Sequence, residues 1–206
     1  MHTLLFQESI EIPICLSILM FVLKHDTFIF LSLLFVLGVF VFLYRLPLTK
    51  NQKYPHHVIT SPCDGKILEI VSGPDITQVK IYLSIIDVHV QWFPTHGLIR
   101  NIIYKPGEFN LAHLLEKSDF NECMTTIIQN ERGIVRVDQI AGQVARRIVN
   151  WSTPNTYASR GDLMGMIKLS SRVDVYLPTK KIDMMVSDGD RVSGKTSPLA
   201  KWKVNV

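Results

Sequence analysis

The sequence predicts a mainly β (α+β) fold, in which an N-terminal hydrophobic helical membrane anchor precedes a compact β-rich domain. Two observations carry this prediction. Apolar residues are concentrated before position 46, and short alternating runs separated by turn residues fill the chain from Val58 onward. With 206 residues, the chain has room for one modest domain beside the anchor. The predicted boundaries are 1–46 for the anchor, 47–57 for a linker and 58–206 for the β-rich domain.

The anchor is predicted from two apolar runs. Residues 12–23 are apolar apart from Pro13 and Ser17, and residues 27–44 contain no charged side chain. A helix of that second length reaches about 27 Å, close to the ~30 Å hydrocarbon core of a bilayer. The two runs therefore predict either a membrane hairpin or one interfacial helix followed by one span.

Basic residues follow the second run directly, at Arg45, Lys50 and Lys53. Because cytoplasmic flanks of membrane segments are enriched in Lys and Arg, the β-rich domain is predicted on the cytoplasmic side of the cell membrane. A cleaved signal peptide is the alternative. It is disfavoured because the first ten residues contain no Lys or Arg and no small-x-small site follows the first run.

Charge and cysteine usage narrow the possible partners. The net charge of +4 is not gathered into long basic runs, and by itself it suits an anionic membrane surface as well as nucleic acid. From the chain as a whole we expect a membrane lipid and no nucleic-acid partner. Cys15, Cys63 and Cys123 have neither disulfide nor zinc-like spacing. We interpret them as small apolar side chains and expect no metal.

From Val58 onward the sequence predicts strands joined by turns. Asp64-Gly65 and Asp188-Gly189 are turn signals, and their similar surroundings indicate paired turns in a pseudo-symmetric β structure. A short helix or turn is predicted at residues 111–116. The predicted strands are residues 66–71, 78–86, 89–93, 98–104, 124–129, 133–139, 143–149, 166–176 (as one strand or two halves) and 181–185.

The feature that points to chemistry is the serine pair Ser170-Ser171. It lies between an apolar run and the alternating stretch 172–176. A serine hydroxyl in such a place is able to attack the peptide bond that precedes it.

This segment resembles the self-cleavage segment of the phosphatidylserine decarboxylase family, of the short, membrane-attached, pyruvoyl-dependent type. The resemblance covers about three quarters of the chain, from Pro47 onward. Where the family usually has Phe-Gly before the serine, this chain has Leu169-Ser170. The matching segments are Ser61–Ile67, Leu83–Val90, Tyr104–Phe109, Asn121-Glu122, Gln139–Ile148, Gly165–Lys168, Ser171–Pro178 and Gly189–Thr196.

The resemblance implies an enzyme that converts phosphatidylserine to phosphatidylethanolamine and carbon dioxide. Ser171 Oγ attacks the carbonyl of Ser170, β-elimination cuts the chain, and loss of ammonia leaves a pyruvoyl group at position 171. This cofactor forms a Schiff base with the substrate amine. The products of cleavage are a larger subunit, 1–170, and a smaller one, 171–206, which stay together as a heterodimer.

The resemblance also implies that His89 is the base for the acyl shift and that Asp64 orients or tunes it. Taken alone, His89 is interpreted as a hydrogen-bonded histidine at a strand edge, and Asp64 as an ordinary turn aspartate. Arg146 and Arg147 are candidates to bind the lipid phosphate. Because neighbouring side chains on a strand point to opposite faces, at most one of these arginines is expected to face the site.

Lys105, Lys168 and Arg172 are weaker candidates to bind the lipid phosphate, and we interpret them as solvated side chains. Three alternative readings of the chain stay open. The first makes Ser170 the nucleophile, with cleavage after Leu169. The second is an uncleaved, membrane-tethered module that binds anionic lipid or a partner protein, which Ser170 favours because it replaces glycine. The third is the same chemistry on an archaeal-type serine ether lipid.

Overall fold

The chain forms two compact units, residues 1–47 and 48–206, in the computed structural model. The residues that the structure describes are 13–14, 16–21, 27–47, 54–143, 147–168 and 171–203.

The first unit is helical where it is described. Residues 13–14 and 16–21 are helical, and helix α1 spans the 17 residues Thr27–Leu43. Among the described residues, no helix is both long enough and apolar enough to cross a membrane. The predicted membrane anchor is therefore not supported by these helices.

The second unit is built almost entirely of strands. Helix α2 (Leu115–Ser118) and a 3-10 turn (Thr179–Lys181) are its helical segments among the described residues. The strands are β1 Val58–Thr60, β2 Gly65–Ser72, β3 Ile76–Leu83, β4 Val90–Trp92, β5 Gly97–Lys105, β6 Cys123–Gln129, β7 Ile134–Ala141, β8 Ile148–Asn150, β9 Tyr157–Ala158, β10 Leu163–Ile167, β11 Ser171–Pro178, β12 Ile182–Met184, β13 Arg191–Val192 and β14 Pro198–Trp202.

An eight-stranded antiparallel sheet, in the order β13-β2-β3-β11-β7-β6-β5-β9, dominates this unit. Two three-stranded sheets accompany it, β1-β14-β12 and β4-β10-β8. Strand β11 lies inside the large sheet and pairs with β3 on one side and β7 on the other. The strand that begins with Ser171 is therefore paired with a neighbouring strand along both edges.

The two faces of β11 differ, as expected where successive side chains point to opposite sides of a sheet. Val173, Val175 and Leu177 face inward and belong to one apolar core, which also includes residues of the small sheets such as Ile59, Met164 and Trp202. Arg172, Asp174 and Tyr176 face outward, and Arg172 and Tyr176 line a surface cavity.

The β-rich prediction is confirmed, with corrections at strand ends. The strand predicted at 78–86 ends at Leu83, because the Asp87 carboxylate accepts hydrogen bonds from the Ser84 amide (2.8 Å) and hydroxyl (2.7 Å) and closes a turn. Of the strand predicted at 143–149, residues 144–146 lie outside the described residues and Ile148 begins β8. The turn predicted at Asp188-Gly189 is followed by the short strand β13.

Candidate active site

Ser171 is the first residue of the central strand β11. Its backbone lies between Leu83, the last residue of β3, and Ala141, the last residue of β7. Alternation places its side chain on the inner face with Val173. The residue is fully buried, and among the described residues its Oγ has no hydrogen-bond partner. Because a buried polar atom without a partner is unfavourable by about 1–3 kcal/mol, this hydroxyl calls for a functional explanation.

The segment before Ser171 passes from one sheet to another. Strand β10 ends at Ile167 in a small sheet, and β11 begins at Ser171 in the large sheet, so three residues make the crossing. Of the two predictions for residues 166–176, one strand or two halves, the second is therefore confirmed. Leu169 and Ser170 lie outside the described residues. Both ends of the predicted cleavage segment are fixed by strand pairing.

His89 lies beside the end of β10. It immediately precedes β4 and is 1% exposed. Its carbonyl oxygen accepts hydrogen bonds from the Ile167 amide at 3.1 Å and from Gln91 Nε2 at 2.7 Å. Its backbone is therefore bonded to a residue only four positions before Ser171.

Buried amide side chains hold this backbone in place. Gln91 Oε1 accepts a hydrogen bond from Gln139 Nε2 (2.8 Å), and Gln139 Oε1 accepts one from Asn150 Nδ2 (3.1 Å). A Cβ at Gly165 would lie 2.8 Å from Gln139 Nε2 and 2.4 Å from a backbone carbonyl of β8, so the close approach requires glycine here. The chain of amides fixes the His89 segment to strands β7 and β8.

Asp64 lies in the turn before β2. The Trp92 amide donates to the Pro62 carbonyl (2.8 Å), so this turn runs alongside β4, whose first residue follows His89. One carboxylate oxygen of Asp64 accepts a hydrogen bond from the Gly194 amide at 2.7 Å. The structure thus brings Asp64 to the segment that carries His89 and ties it to a turn near the C-terminus.

Gly65 keeps this turn against the sheet. Its φ is +155°, and a Cβ on it would lie 2.3 Å from the Tyr82 carbonyl oxygen. Only glycine permits this approach. Asp64 consequently lies at the same end of the large sheet as Leu83 and Ser171.

Of the two candidate phosphate-binding arginines, the structure describes Arg147. Arg146 is outside the described residues. Arg147 is exposed and precedes Ile148, the first residue of β8, so for Arg147 the premise of a strand is wrong. Its carbonyl accepts a hydrogen bond from the Lys168 amide (3.3 Å), which places Arg147 beside the cleavage segment.

Arg172 is not a solvated side chain, because the loop 106–122 covers it. It is 1% exposed, and its Nε lies 2.9 Å from Asp174 Oδ1, while its other nitrogens donate to Ser118 Oγ and Asp119 Oδ1. Burial raises the pKa of Asp174 to about 6, although Arg172 opposes this shift. Burial also opposes the charge on Arg172, but the two aspartates outweigh it and raise its pKa.

The outer-face cavity next to this arginine has a volume of about 490 Å³ and a mixed polar lining that includes Lys80, Asp138 and Arg172. A cavity of about 640 Å³ lies at the opposite end of the sheet, lined by residues such as Ile76, Ile134 and Pro178. Ser171 lines neither of them, since its side chain faces the core.

Glu122 is an acidic residue of this region to which the sequence assigned no role. Its carbonyl accepts a hydrogen bond from the Ala141 amide (2.9 Å), and Ala141 pairs with Ser171. The side chain is 8% exposed, and burial raises the pKa of its carboxyl group. Its burial has no periodic signal in the sequence, because it ends an irregular loop.

Comparisons with known proteins show which family the sequence is similar to. A family model described as phosphatidylserine decarboxylase matches residues 39–198. The phosphatidylserine decarboxylase proenzyme of Carboxydothermus hydrogenoformans is 34% identical over 183 residues, which cover 85% of this chain and 83% of that protein. The proenzyme of Parabacteroides distasonis is 32% identical over 185 residues, 84% of each chain. That of Bacteroides thetaiotaomicron is 34% identical over 169 residues, covering 78% of this chain and 73% of the relative.

Proposed function

The chain belongs to the phosphatidylserine decarboxylase family, and we propose that Ser171 is the residue from which it makes its pyruvoyl group. The enzyme converts phosphatidylserine to phosphatidylethanolamine, and the relatives' name of proenzyme implies cleavage into subunits. The observation that carries the assignment is the buried Oγ of Ser171, which has no hydrogen-bond partner among the described residues. Ser171 also begins a strand that is paired along both edges.

Self-cleavage at Ser171 proceeds in steps that balance. The hydroxyl proton passes to a base while Oγ forms an ester with the Ser170 carbonyl carbon and the amide bond between the two residues breaks. Loss of the Cα proton then breaks the Cβ–Oγ bond, which leaves a carboxylate on Ser170 and dehydroalanine at position 171. Its imine tautomer takes up water and releases ammonia. When formed, the pyruvoyl group supplies a carbonyl that accepts the electron pair left by departing carbon dioxide.

His89 is the proposed base, and Asp64 its partner in orientation or tuning. The support is positional: the His89 carbonyl bonds the Ile167 amide, and the Asp64 turn runs along the strand that follows His89. Burial of this region excludes water, which strengthens the electrostatic interactions of the reacting groups. Arg147, exposed beside the cleavage segment, is the described candidate for the lipid phosphate.

The enzyme's location follows from its lipid substrate. We place it at the cell membrane with the β-rich domain on the cytoplasmic side, held there by the apolar segment within residues 1–46. Extraction of the protein with carbonate and with detergent distinguishes an integral from a peripheral attachment.

The test of the assignment is the intact mass, under denaturing conditions, of the wild type beside Ser171→Ala. The wild type is expected as fragments 1–170 and 171–206, the smaller one carrying a pyruvoyl terminus, and Ser171→Ala as one uncleaved chain. Ser170→Ala is the matched control and is expected to be cleaved. A single full-length mass in all three samples would overturn the proposal in favour of an uncleaved lipid- or protein-binding module. Loss of cleavage in Ser170→Ala alone would make Ser170 the nucleophile.

A further inference from the structure

Two loops leave the large sheet at the end where Ser171 lies. Residues 84–89 follow β3, and residues 106–122 connect β5 to β6. The longer loop reaches the end of β3, where the shorter loop begins, because the ring of His113 meets the ring of Tyr82 in β3 edge to face with their centroids 5.8 Å apart.

The longer loop is fixed on its inner side. Arg172 donates hydrogen bonds to Ser118 Oγ and to Asp119, and Asn121 Nδ2 donates to the Ala141 carbonyl at 2.7 Å. Ser118 and Asn121 are buried. The loop therefore has a defined conformation. It is held by Arg172, which follows Ser171 in the chain, and by Ala141, which pairs with Ser171.

The outer side of both loops is apolar. Five large apolar side chains on them are between 38% and 66% exposed. Single exposed apolar side chains are ordinary on a soluble surface, but five on two adjoining loops form a patch typical of an interaction site. This apolar rim consists of Ile85, Ile86, Leu111, Leu114 and Phe120.

We infer that the apolar rim is the surface through which the β-rich domain enters the interface of the bilayer that holds its substrate. This inference rests on the proposed function. Phosphatidylserine stays in the bilayer, since removing it would expose its acyl chains to water. Ser171 is fully buried at the end of the sheet that carries the rim. This end of the sheet therefore has to approach the lipid headgroups if the carboxylate of phosphatidylserine is to reach Ser171.

The choice of a bilayer rather than a protein partner follows from the chemistry of the rim and its place. The rim lies on loops whose inner residues surround the strand that begins with Ser171, and a protein seated there would cover the approach of the lipid. Branched and aromatic side chains of this size, presented on one side of a rigid loop, enter the headgroup region without unfolding the loop.

The first test compares two substrates with the full-length protein. In Leu114→Ser/Phe120→Ser, we expect turnover of phosphatidylserine in phosphatidylcholine vesicles to fall about tenfold or more, as interfacial binding scales with buried apolar area. Turnover of monomeric dihexanoyl phosphatidylserine is expected to stay within about twofold, since it needs no interface. Ile76→Ser/Ile134→Ser removes equally exposed apolar groups from the opposite end and is expected to change neither rate.

A second readout does not depend on activity. Phe120→Trp in the full chain, bound to vesicles with brominated phosphatidylcholine, is expected to show added quenching of tryptophan fluorescence. The control Ile134→Trp is expected to show none beyond the wild type. Equal quenching in both, or vesicle turnover unchanged in the rim variant, would overturn the inference. If wild-type enzyme decarboxylated neither substrate, the proposed function would fail, while the quenching would still report contact with the bilayer.

Discussion

At the scale of single residues, His89 is positioned through its backbone. Its carbonyl oxygen bonds both the end of β10 and Gln91, which continues into the buried chain of Gln139 and Asn150. Such a fixed chain of amides holds the proposed base in one position and lowers the entropy lost on reaching a reactive geometry.

His89→Asn is expected to slow self-cleavage about 100-fold or more, because general-base assistance of proton transfer contributes 10²–10⁴-fold. The measurement is the rate at which the full-length chain disappears after synthesis, followed by mass. His96→Asn is the matched control: it changes another histidine, at the opposite end of the sheet beside β5, and is expected to leave the rate unchanged. Equal rates for wild type and His89→Asn would remove His89 from this role.

The serine pair pointed to Ser171 from the residues themselves, whereas His89 and Asp64 received their roles only through the resemblance to the family. The sequence did not reveal the burial of Arg172 or Glu122. Arg172 is covered by the loop 106–122 and Glu122 ends that loop, and the path of such a loop depends on contacts between residues distant in sequence. Charged residues are usually exposed, so the prior for Arg172 was wrong for a physical reason.

At the scale of elements, strand β11 is joined to helix α2 by one buried cation. Arg172 pairs with Asp174 on its own strand and with Ser118 and Asp119 at the end of α2. The strand that begins with Ser171 and the loop that carries three residues of the apolar rim are therefore held by the same side chain.

Arg172→Met is expected to lower the free energy of unfolding by about 3–5 kcal/mol, because it leaves the buried Asp174 without its cation. Urea denaturation of the uncleaved Ser171→Ala background measures it without interference from processing. Lys180→Met is the control, since Lys180 and Asp75 form an ion pair with both side chains exposed, and little change is expected. A similarly small effect for Arg172→Met would mean that the buried pair does not hold β11 to α2.

The same variant predicts a pH dependence. Burial already raises the pKa of Asp174 to about 6, and removal of Arg172, which opposes that shift, raises it further. A carboxyl whose pKa is higher in the folded state binds protons preferentially there, so stability falls as pH rises through this range. The deficit of Arg172→Met relative to its parent is thus expected to shrink between pH 7 and pH 5, and a constant deficit would contradict the assignment to Asp174.

Element boundaries were predictable where propensity decides and not where a side chain intervenes. Strands β2, β5 and β6 lie within one or two residues of their predicted ends. The strand predicted to reach residue 86 was cut short by the Asp87 carboxylate, a local hydrogen bond that competes with the ladder.

At the scale of the whole molecule, the order of strands is the part that sequence did not show. Strand β11 lies between β3 and β7, and β13 pairs with β2. Some paired strands are therefore more than a hundred residues apart in the sequence. Alternation of apolar and polar residues predicts a strand and its inner face, but it does not specify which strand lies beside it.

This order determines what self-cleavage leaves behind. The bond between 170 and 171 lies before the first residue of β11, so the change is confined to the amide of residue 171, and the ladder pairing of residues 172–178 is retained. Residues 171–206 then contribute β11 and β13 to the large sheet, and β12 and β14 to the small sheet that β1 of the larger fragment completes. Their side chains Val173, Val175 and Trp202 stay in the common core.

The cleaved subunits are therefore expected to separate only when the domain unfolds. Native mass spectrometry is expected to show both fragments as one species, and release of a free 171–206 fragment in native buffer would contradict the fold. Because unfolding of the cleaved enzyme yields two molecules, its Tm is expected to rise with protein concentration. The Tm of uncleaved Ser171→Ala is expected to be independent of concentration, since its unfolding yields one chain, and the contrast between them isolates the effect of the cut.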